Sequence, residues 1–281
     1  MARLFGLIGN RTDLAGRVLA SEAKLLTVRA KGSPLGWGVG FYQGGEVLLR
    51  RRPIDEHEAI DVARVAGDLR ADLLLGHVRS ATVGALRTEN THPFRYRQWL
   101  FAQTGTAPEF EAVRERLVAT VPEFLRSGIR GDTDSEVLFH VFLSFLHDRG
   151  SLNDPTVEPQ VVAEALRSSL AVIDGMCAEV GAQPGATNLL VTNGEFLCAA
   201  HRGAAMGYRV YHGKQDAEAL LEGDPQLRRR TPELPSVYMT LLASDFDDDE
   251  KVFASGSRWK RIQERAIVTL ARGKDPAIQD L

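Results

Sequence analysis

Short apolar runs crowd both ends of the chain, and longer helix-spaced patterns fill its middle. Residues 3–8 read as a buried strand that starts almost at the first residue, which ties a normally loose terminus into the body of the protein. Residues 13–27 place Leu14, Val18, Leu19, Leu25 and Leu26 at helical spacing. Residues 36–42 and 47–49 flank Gly44-Gly45 and predict a hairpin. Residues 55–69 predict a helix, 72–79 a buried strand entering a polar loop, and 99–102 another short strand.

The middle reads as helices over 110–125, 133–146 and 159–179. Asp132 or Thr133 can cap the second, with Glu136 at the position of a capping-box partner for Thr133. Strands return at 187–193, 195–200 and 208–212, with Asn193-Gly194 as the first turn. The charged stretch 215–235 reads as a surface excursion. Further strands are expected at 236–244, 251–254 and 259–270, and a polar, flexible tail at 273–281. Paired strands at both ends with helices between argue against simple βαβ alternation. The pattern predicts an α+β fold of two antiparallel sheets flanked by helices. No linker-like stretch divides the chain, so residues 1–281 are expected to form a single domain.

Composition narrows the function classes. With 281 residues, 44 % hydrophobic and 25 % charged, the chain can build a sizeable core. A net charge of -3 gives no reason to expect nucleic acid or a membrane surface as partner. No apolar run approaches the roughly 18 residues of a bilayer span, and the first nine residues lack the pattern of a secretory signal. Two cysteines, Cys177 and Cys198, have no metal-type spacing and fit a cytoplasmic, reducing environment. Both are expected to be small buried hydrophobes, and Trp37 and Phe41 to be core. No metal or cofactor is expected. The acidic run 245–250 reads as a solvated loop.

Four polar clusters sit at strand ends or loops: residues 77–84, 89–94, 101–106 and 131–136. They supply Arg79, two histidines, glycine-bearing loops and Asp134 near a helix start. Arginine plus aspartate suits a zwitterionic amino acid, because guanidinium grips a carboxylate with two parallel bonds and a carboxylate accepts from ammonium. A glycine loop can offer backbone N–H groups to an oxyanion.

In their order and spacing, beginning at residue 2, these clusters resemble the class II glutamine amidotransferase domain, an N-terminal-nucleophile hydrolase. The chain is most similar to the stand-alone type that includes ergothioneine-pathway amidohydrolases. Motif coverage is best over 1–136 and weaker to about 259, where Leu242-Ala243-Ser244-Asp245 echoes a family segment. The resemblance implies a four-layer αββα sandwich. It also implies that Arg79, with Thr82 nearby, holds a substrate carboxylate and that Asp134 holds its ammonium. Gly105 would supply an oxyanion N–H, and His92 and Asn90 would shape the loop over the pocket, with Gly36-Trp37-Gly38 behind it. The implied ligand is glutamine or a γ-glutamyl small molecule.

Three departures bear on mechanism. Where the family carries its nucleophilic cysteine this chain has Ala2, whose methyl cannot attack a carbonyl. The family His-Asn-Gly is Gln103-Thr104-Gly105 here, and the Thr104 hydroxyl is shorter than an asparagine amide. One lost oxyanion donor costs about 10²–10³ in rate. Three changed positions point to natural drift from amidase chemistry rather than an engineered trap. The leading expectation is a pseudoenzyme that keeps an amino-acid pocket. The alternatives are an active γ-glutamyl amidase using an unrecognised nucleophile or an activated water, and a structural or regulatory subunit. Any acceptor chemistry would call for a separate synthase or pathway enzyme.

Overall fold

The computed structural model describes residues 2–80, 85–229 and 233–281. The first half contains β1 (Arg3–Gly9), α1 (Ala15–Ser21), α2 (Ala23–Leu26), β2 (Val28–Arg29), β3 (Leu35–Gln43), β4 (Glu46–Asp55), β5 (Ala59–Ile60), α3 (Val62–Ala66) and β6 (Leu73–Ser80). There follow β7 (Phe94–Tyr96), β8 (Trp99–Gly105), α4 (Phe110–Thr120), α5 (Glu123–Arg126), α6 (Asp134–Asp148) and α7 (Pro159–Glu179). The last third runs β9 (Thr187–Thr192), β10 (Phe196–Arg202), β11 (Met206–His212), α8 (Gly213–Leu220), α9 (Pro225–Arg229), β12 (Tyr238–Ser244), α10 (Asp249–Val252), β13 (Lys260–Arg261), β14 (Ala266–Ala271) and β15 (Ala277–Asp280).

One sheet has the order β13-β11-β12-β1-β6-β3-β4, the other β15-β14-β10-β9-β8-β7. The pairings that build both are antiparallel. Strand side chains alternate between faces, and here both faces are apolar. Leu4, Ile8, Leu73 and Leu75 of the first sheet meet Ala102, Leu190, Leu197 and Val268 of the second. Phe101, Val191 and Cys198 face outward onto α4, α6 and α7. Leu7, Val39, Leu74 and Leu241 face outward onto α1, α3 and α8. The result is the four-layer αββα sandwich. Strands such as β1 and β8 are buried on both sides, so they read as apolar runs rather than alternations.

Several local expectations are corrected. The helix expected over 13–27 is split at Glu22, whose buried carboxylate accepts from Tyr211 Oη at 2.8 Å and Trp259 Nε1 at 3.0 Å and pairs with Arg209. The helix expected from residue 55 begins only at Val62, after the Asp61 N-cap. Asp55 instead ends β4 and accepts from Trp37 Nε1 at 2.8 Å. Pro122 stands between α4 and α5 because it cannot continue the first helix without losing a hydrogen bond. Residues 215–235 contain helical turns, and 251–254 begin inside α10, capped by the Asp248 carboxylate. The tail, expected to be flexible, pairs Ala277–Asp280 with β14. Trp37 is half-buried, while Phe41, Cys177 and Cys198 are buried.

Candidate functional site

The ends of β1, β6, β3, β8 and β12 converge at one edge of the sandwich. Ala2 stands one residue before β1. Arg3 pairs with Val78, so the next antiparallel step sets Ala2 beside Arg79. On the other flank Gly36 pairs with Arg79 and Gly38 with His77. Alternation along β6 turns His77 and Arg79 to the same side as Leu73 and Leu75, the space between the sheets. Thr104 enters that space from β8, on the same face as Ala102.

Gly38 is where a loop is pressed onto this edge. A Cβ there would lie 2.0 Å from the His92 carbonyl oxygen, so only glycine lets the 85–93 loop lie flat on β3. His92 then meets His77 edge to face, ring centroids 4.5 Å apart, and Phe94 at 4.7 Å. None of the four ring nitrogens has a hydrogen-bond partner among the described residues. Burial, reinforced by the Arg79 charge, lowers the His77 pKa to about 3. Burial also takes His92 well below the usual histidine value, with His77, Arg79 and Arg51 adding to it. Shifts in this direction keep both rings uncharged at neutral pH.

The Arg79 guanidinium donates to the Ala85 carbonyl at 3.2 Å. Burial lowers its pKa, opposed by the charges of Asp132 and Asp134; arginine stays a cation through such shifts. Asn90 is fully buried and sews two loops together: its amide donates to Ala85 O and Asp132 Oδ1, and its oxygen accepts the Asp132 N–H at 3.1 Å. Thr82 lies outside the described residues.

Asp134 opens α6 and is buried. Its Oδ2 accepts the Ala107 N–H at 2.7 Å and its Oδ1 the Ser135 N–H at 2.9 Å. The carboxylate thereby fixes the loop after Gly105 against the helix start. Burial raises its pKa, and these hydrogen bonds oppose the rise. Oδ1 also accepts the Ser135 hydroxyl at 3.3 Å, which leaves Oδ2 with a second lone pair that can still accept an ammonium. Thr133 is the N-cap, accepting the Glu136 N–H at 3.3 Å. The expected capping box is only half formed, because the Glu136 carboxylate turns instead to the N–H groups of Arg130 and Gly131. Gly105 adopts φ 92°, and a Cβ there would stand 1.9 Å from the Ala186 carbonyl.

Thr104 has a partner that sequence reasoning missed. Its hydroxyl donates to Asp245 Oδ2 at 2.8 Å, and the Ser244 hydroxyl donates to the same oxygen. The buried Arg3 guanidinium binds the carbonyls of Ser244 and Asp245 and holds the turn, where Asp245 has φ 61°. Asp245 is therefore not part of a solvated loop. A hydroxyl has one proton to give, and that of Thr104 is committed to a carboxylate. The segment 242–245 was visible as a family echo; what spacing could not show is that residue 245 folds onto a residue 141 positions away. Gln103 points to the opposite face of β8, buried beside the helices with its Oε1 unpartnered among the described residues.

Both cysteines are buried. Burial pushes the Cys198 thiol up to about 12 and also raises Cys177, while the reactive form is the thiolate. Among the described residues no group of three or more His, Cys, Asp or Glu is placed to hold a metal ion. Among them, too, no helix is long and apolar enough to cross a membrane.

Two antiparallel sheets, helices on both outer faces and a central first strand at Arg3–Gly9 define a sandwich of the N-terminal-nucleophile hydrolase type. Residues 1–279 match the family described as glutamine amidotransferases class-II, and the chain belongs to that family. An uncharacterized Methanocaldococcus jannaschii protein, MJ1515, is 28% identical over 207 residues, 72% of this chain and 50% of that protein. A glutamine aminotransferase class-II domain protein from Silicibacter pomeroyi superposes over 99% of this chain and 98% of its own, with TM-score 0.60 and 20% identity. Glutamine phosphoribosylpyrophosphate amidotransferase from B. subtilis superposes over 99% of this chain and 49% of its own, with TM-score 0.56 and 13% identity. The matched regions span 25% to 50% of the first curated relatives.

Proposed function

We propose that this chain is a class II glutamine amidotransferase-type protein that binds glutamine or a γ-glutamyl compound and has lost normal glutaminase chemistry. The observation that carries the reading is the Thr104–Asp245 hydrogen bond beside Ala2. Ala2 has no nucleophilic atom, and the hydroxyl at the oxyanion-donor position gives its proton to Asp245. That carboxylate also sets a negative charge near the place where negative charge would develop, the opposite of electrostatic stabilisation. The binding half of the reading rests on Arg79 and Asp134, a guanidinium for a carboxylate and a carboxylate for an ammonium, joined to one edge through Asn90 and the 105–107 loop. The whole of residues 1–281 would act as one such unit, with any acceptor chemistry on another chain.

Calorimetry and a glutaminase assay on the same preparations test this. Wild type is expected to bind glutamine or a γ-glutamyl dipeptide and to release no ammonia. Arg79→Ala should lose binding by ~10-fold or more, the size of a lost charge-assisted pair. Turnover by wild type, or binding that Arg79→Ala leaves unchanged, overturns the reading. Ala2→Cys combined with Thr104→Asn is expected to recover measurable glutaminase if the binding groups are competent.

A further inference from the structure

A second site lies on the other side of the 85–93 loop. A cleft of about 650 Å³ opens between the β4 and β7 strands and the α5–α6 segment. That volume falls within the range of small-molecule pockets. Four guanidiniums line it: Arg51, Arg95, Arg97 and Arg130. Elsewhere arginines such as Arg17, Arg50, Arg116 and Arg149 pair with carboxylates. Among the described residues none of these four has an ion-pair partner.

Hydrogen bonds orient three of them without neutralising them. Arg51 donates to the carbonyls of Thr88 and Thr91, Arg95 to those of Val47 and Arg97, and Arg97 to the neutral Asn153 amide. Two carboxylates share the cleft. Glu136 is buried and occupied by two backbone N–H groups, and Glu89 is exposed. The charge balance is four cations against two anions, one of them already engaged. The apolar part of the wall is mostly aromatic: the Arg97 guanidinium carbon lies 5.5 Å from the Tyr96 ring centre, and Phe124, packed against His147 at 4.8 Å between ring centroids, is still 49% exposed.

We infer that this cleft binds an organic polyphosphate carrying a planar ring, the chemistry of a nucleotide. Guanidinium groups meet phosphoryl oxygens bidentately, several of them together match a multiply charged chain, and an exposed phenyl ring offers a stacking face. The inference does not depend on the glutamine reading, since it uses neither Ala2, Arg79, Thr104 nor Asp134.

Titration calorimetry on the full chain tests it, with ATP, tripolyphosphate and adenosine as probes at about 0.15 M salt, where unfocused surface attraction is screened. ATP is expected to saturate one site below about 1 mM. Tripolyphosphate should bind more weakly, and adenosine not measurably. Arg97→Gln and Arg130→Gln, both at exposed positions, should each weaken ATP by ~10-fold or more. Arg64→Gln, an exposed arginine on α3, should leave it unchanged. No saturable ATP binding, equal losses in Arg64→Gln and the cleft variants, or tripolyphosphate binding as tightly as ATP would each overturn the inference.

Discussion

The two sides of the 85–93 loop make opposite use of polar groups. On the strand-end side, Asn90, Asp134, Thr104 and Asp245 are each committed to protein partners, and the two histidines are sealed in without a hydrogen-bond partner among the described residues. On the α6 side, the guanidiniums of Arg51, Arg95 and Arg97 hold neutral partners, and none of the four cleft arginines forms an ion pair among the described residues. Commitment makes a rigid frame that tolerates little change. Uncommitted charge makes a surface that can be altered without harm to the fold. Substitutions on the two sides should therefore differ in size and in kind.

The largest effect is expected at Gly105. Alanine there meets both a positive φ and the Ala186 carbonyl. Overpacking and left-handed strain together cost ~3 kcal/mol or more. Thermal melting should fall by roughly 10 °C for a chain of this length. A melting point within a degree or two of wild type would show that the strand-end frame is softer than its contacts suggest.

The histidine pair gives the next effect, and its sign is fixed by the direction of the shifts. Both rings have folded pKa values below their unfolded value near 6.5, with His77 at about 3. Between those limits the unfolded chain binds more protons, so stability is full above pH 6.5 and declines as pH falls. With His140, which burial also lowers, three buried histidines give a slope of up to about 4 kcal/mol per pH unit. Asp134 and Glu136, raised by burial, work in the opposite sense and shallow the curve at its acid end. Chemical denaturation at pH 7.5, 6.5 and 5.5 measures this. His92→Leu should lower the slope by about a third, and an unchanged slope would place the titrating groups elsewhere.

A smaller and more diagnostic effect belongs to Asp245. Asparagine keeps an acceptor for Thr104 and Ser244 and tolerates φ 61°; alanine does neither. Asp245→Ala is expected to cost ~2 kcal/mol and Asp245→Asn less than about 1 kcal/mol. Equal losses would mean that the carboxylate charge, not the acceptor, holds the β12 turn.

The sandwich itself was legible because its evidence is local. Apolar runs at 3–8, 72–79 and 99–102 are the strands buried on both faces, and the helix-spaced middle became α4, α6 and α7. What failed were places where a distant residue decides. Helical spacing over 13–27 could not reveal that Glu22 is buried under Arg209, Tyr211 and Trp259. The apparent strand at 251–254 became a helical turn because Asp248 caps it. The clusters around Arg79, Asn90 and Asp134 were legible as motifs, and register explains their meeting at one edge. Asp245 and the cleft arginines were not legible, because tertiary structure alone brings residues 51, 95, 97 and 130 to one wall.

The smallest expected effect sharpens the contrast most. Arg130 is exposed, and its side chain makes no ion pair among the described residues. Its backbone N–H holds Glu136, whose charge the guanidinium also favours weakly, and that N–H survives any substitution except proline. Arg130→Gln should thus change stability by less than about 0.5 kcal/mol. If four like charges in one cleft repel one another, removing one even stabilises slightly, more at low salt than at high. A loss of about 1 kcal/mol or more on denaturation would mean that this guanidinium is part of the frame, and the division between a committed edge and an uncommitted cleft would no longer hold.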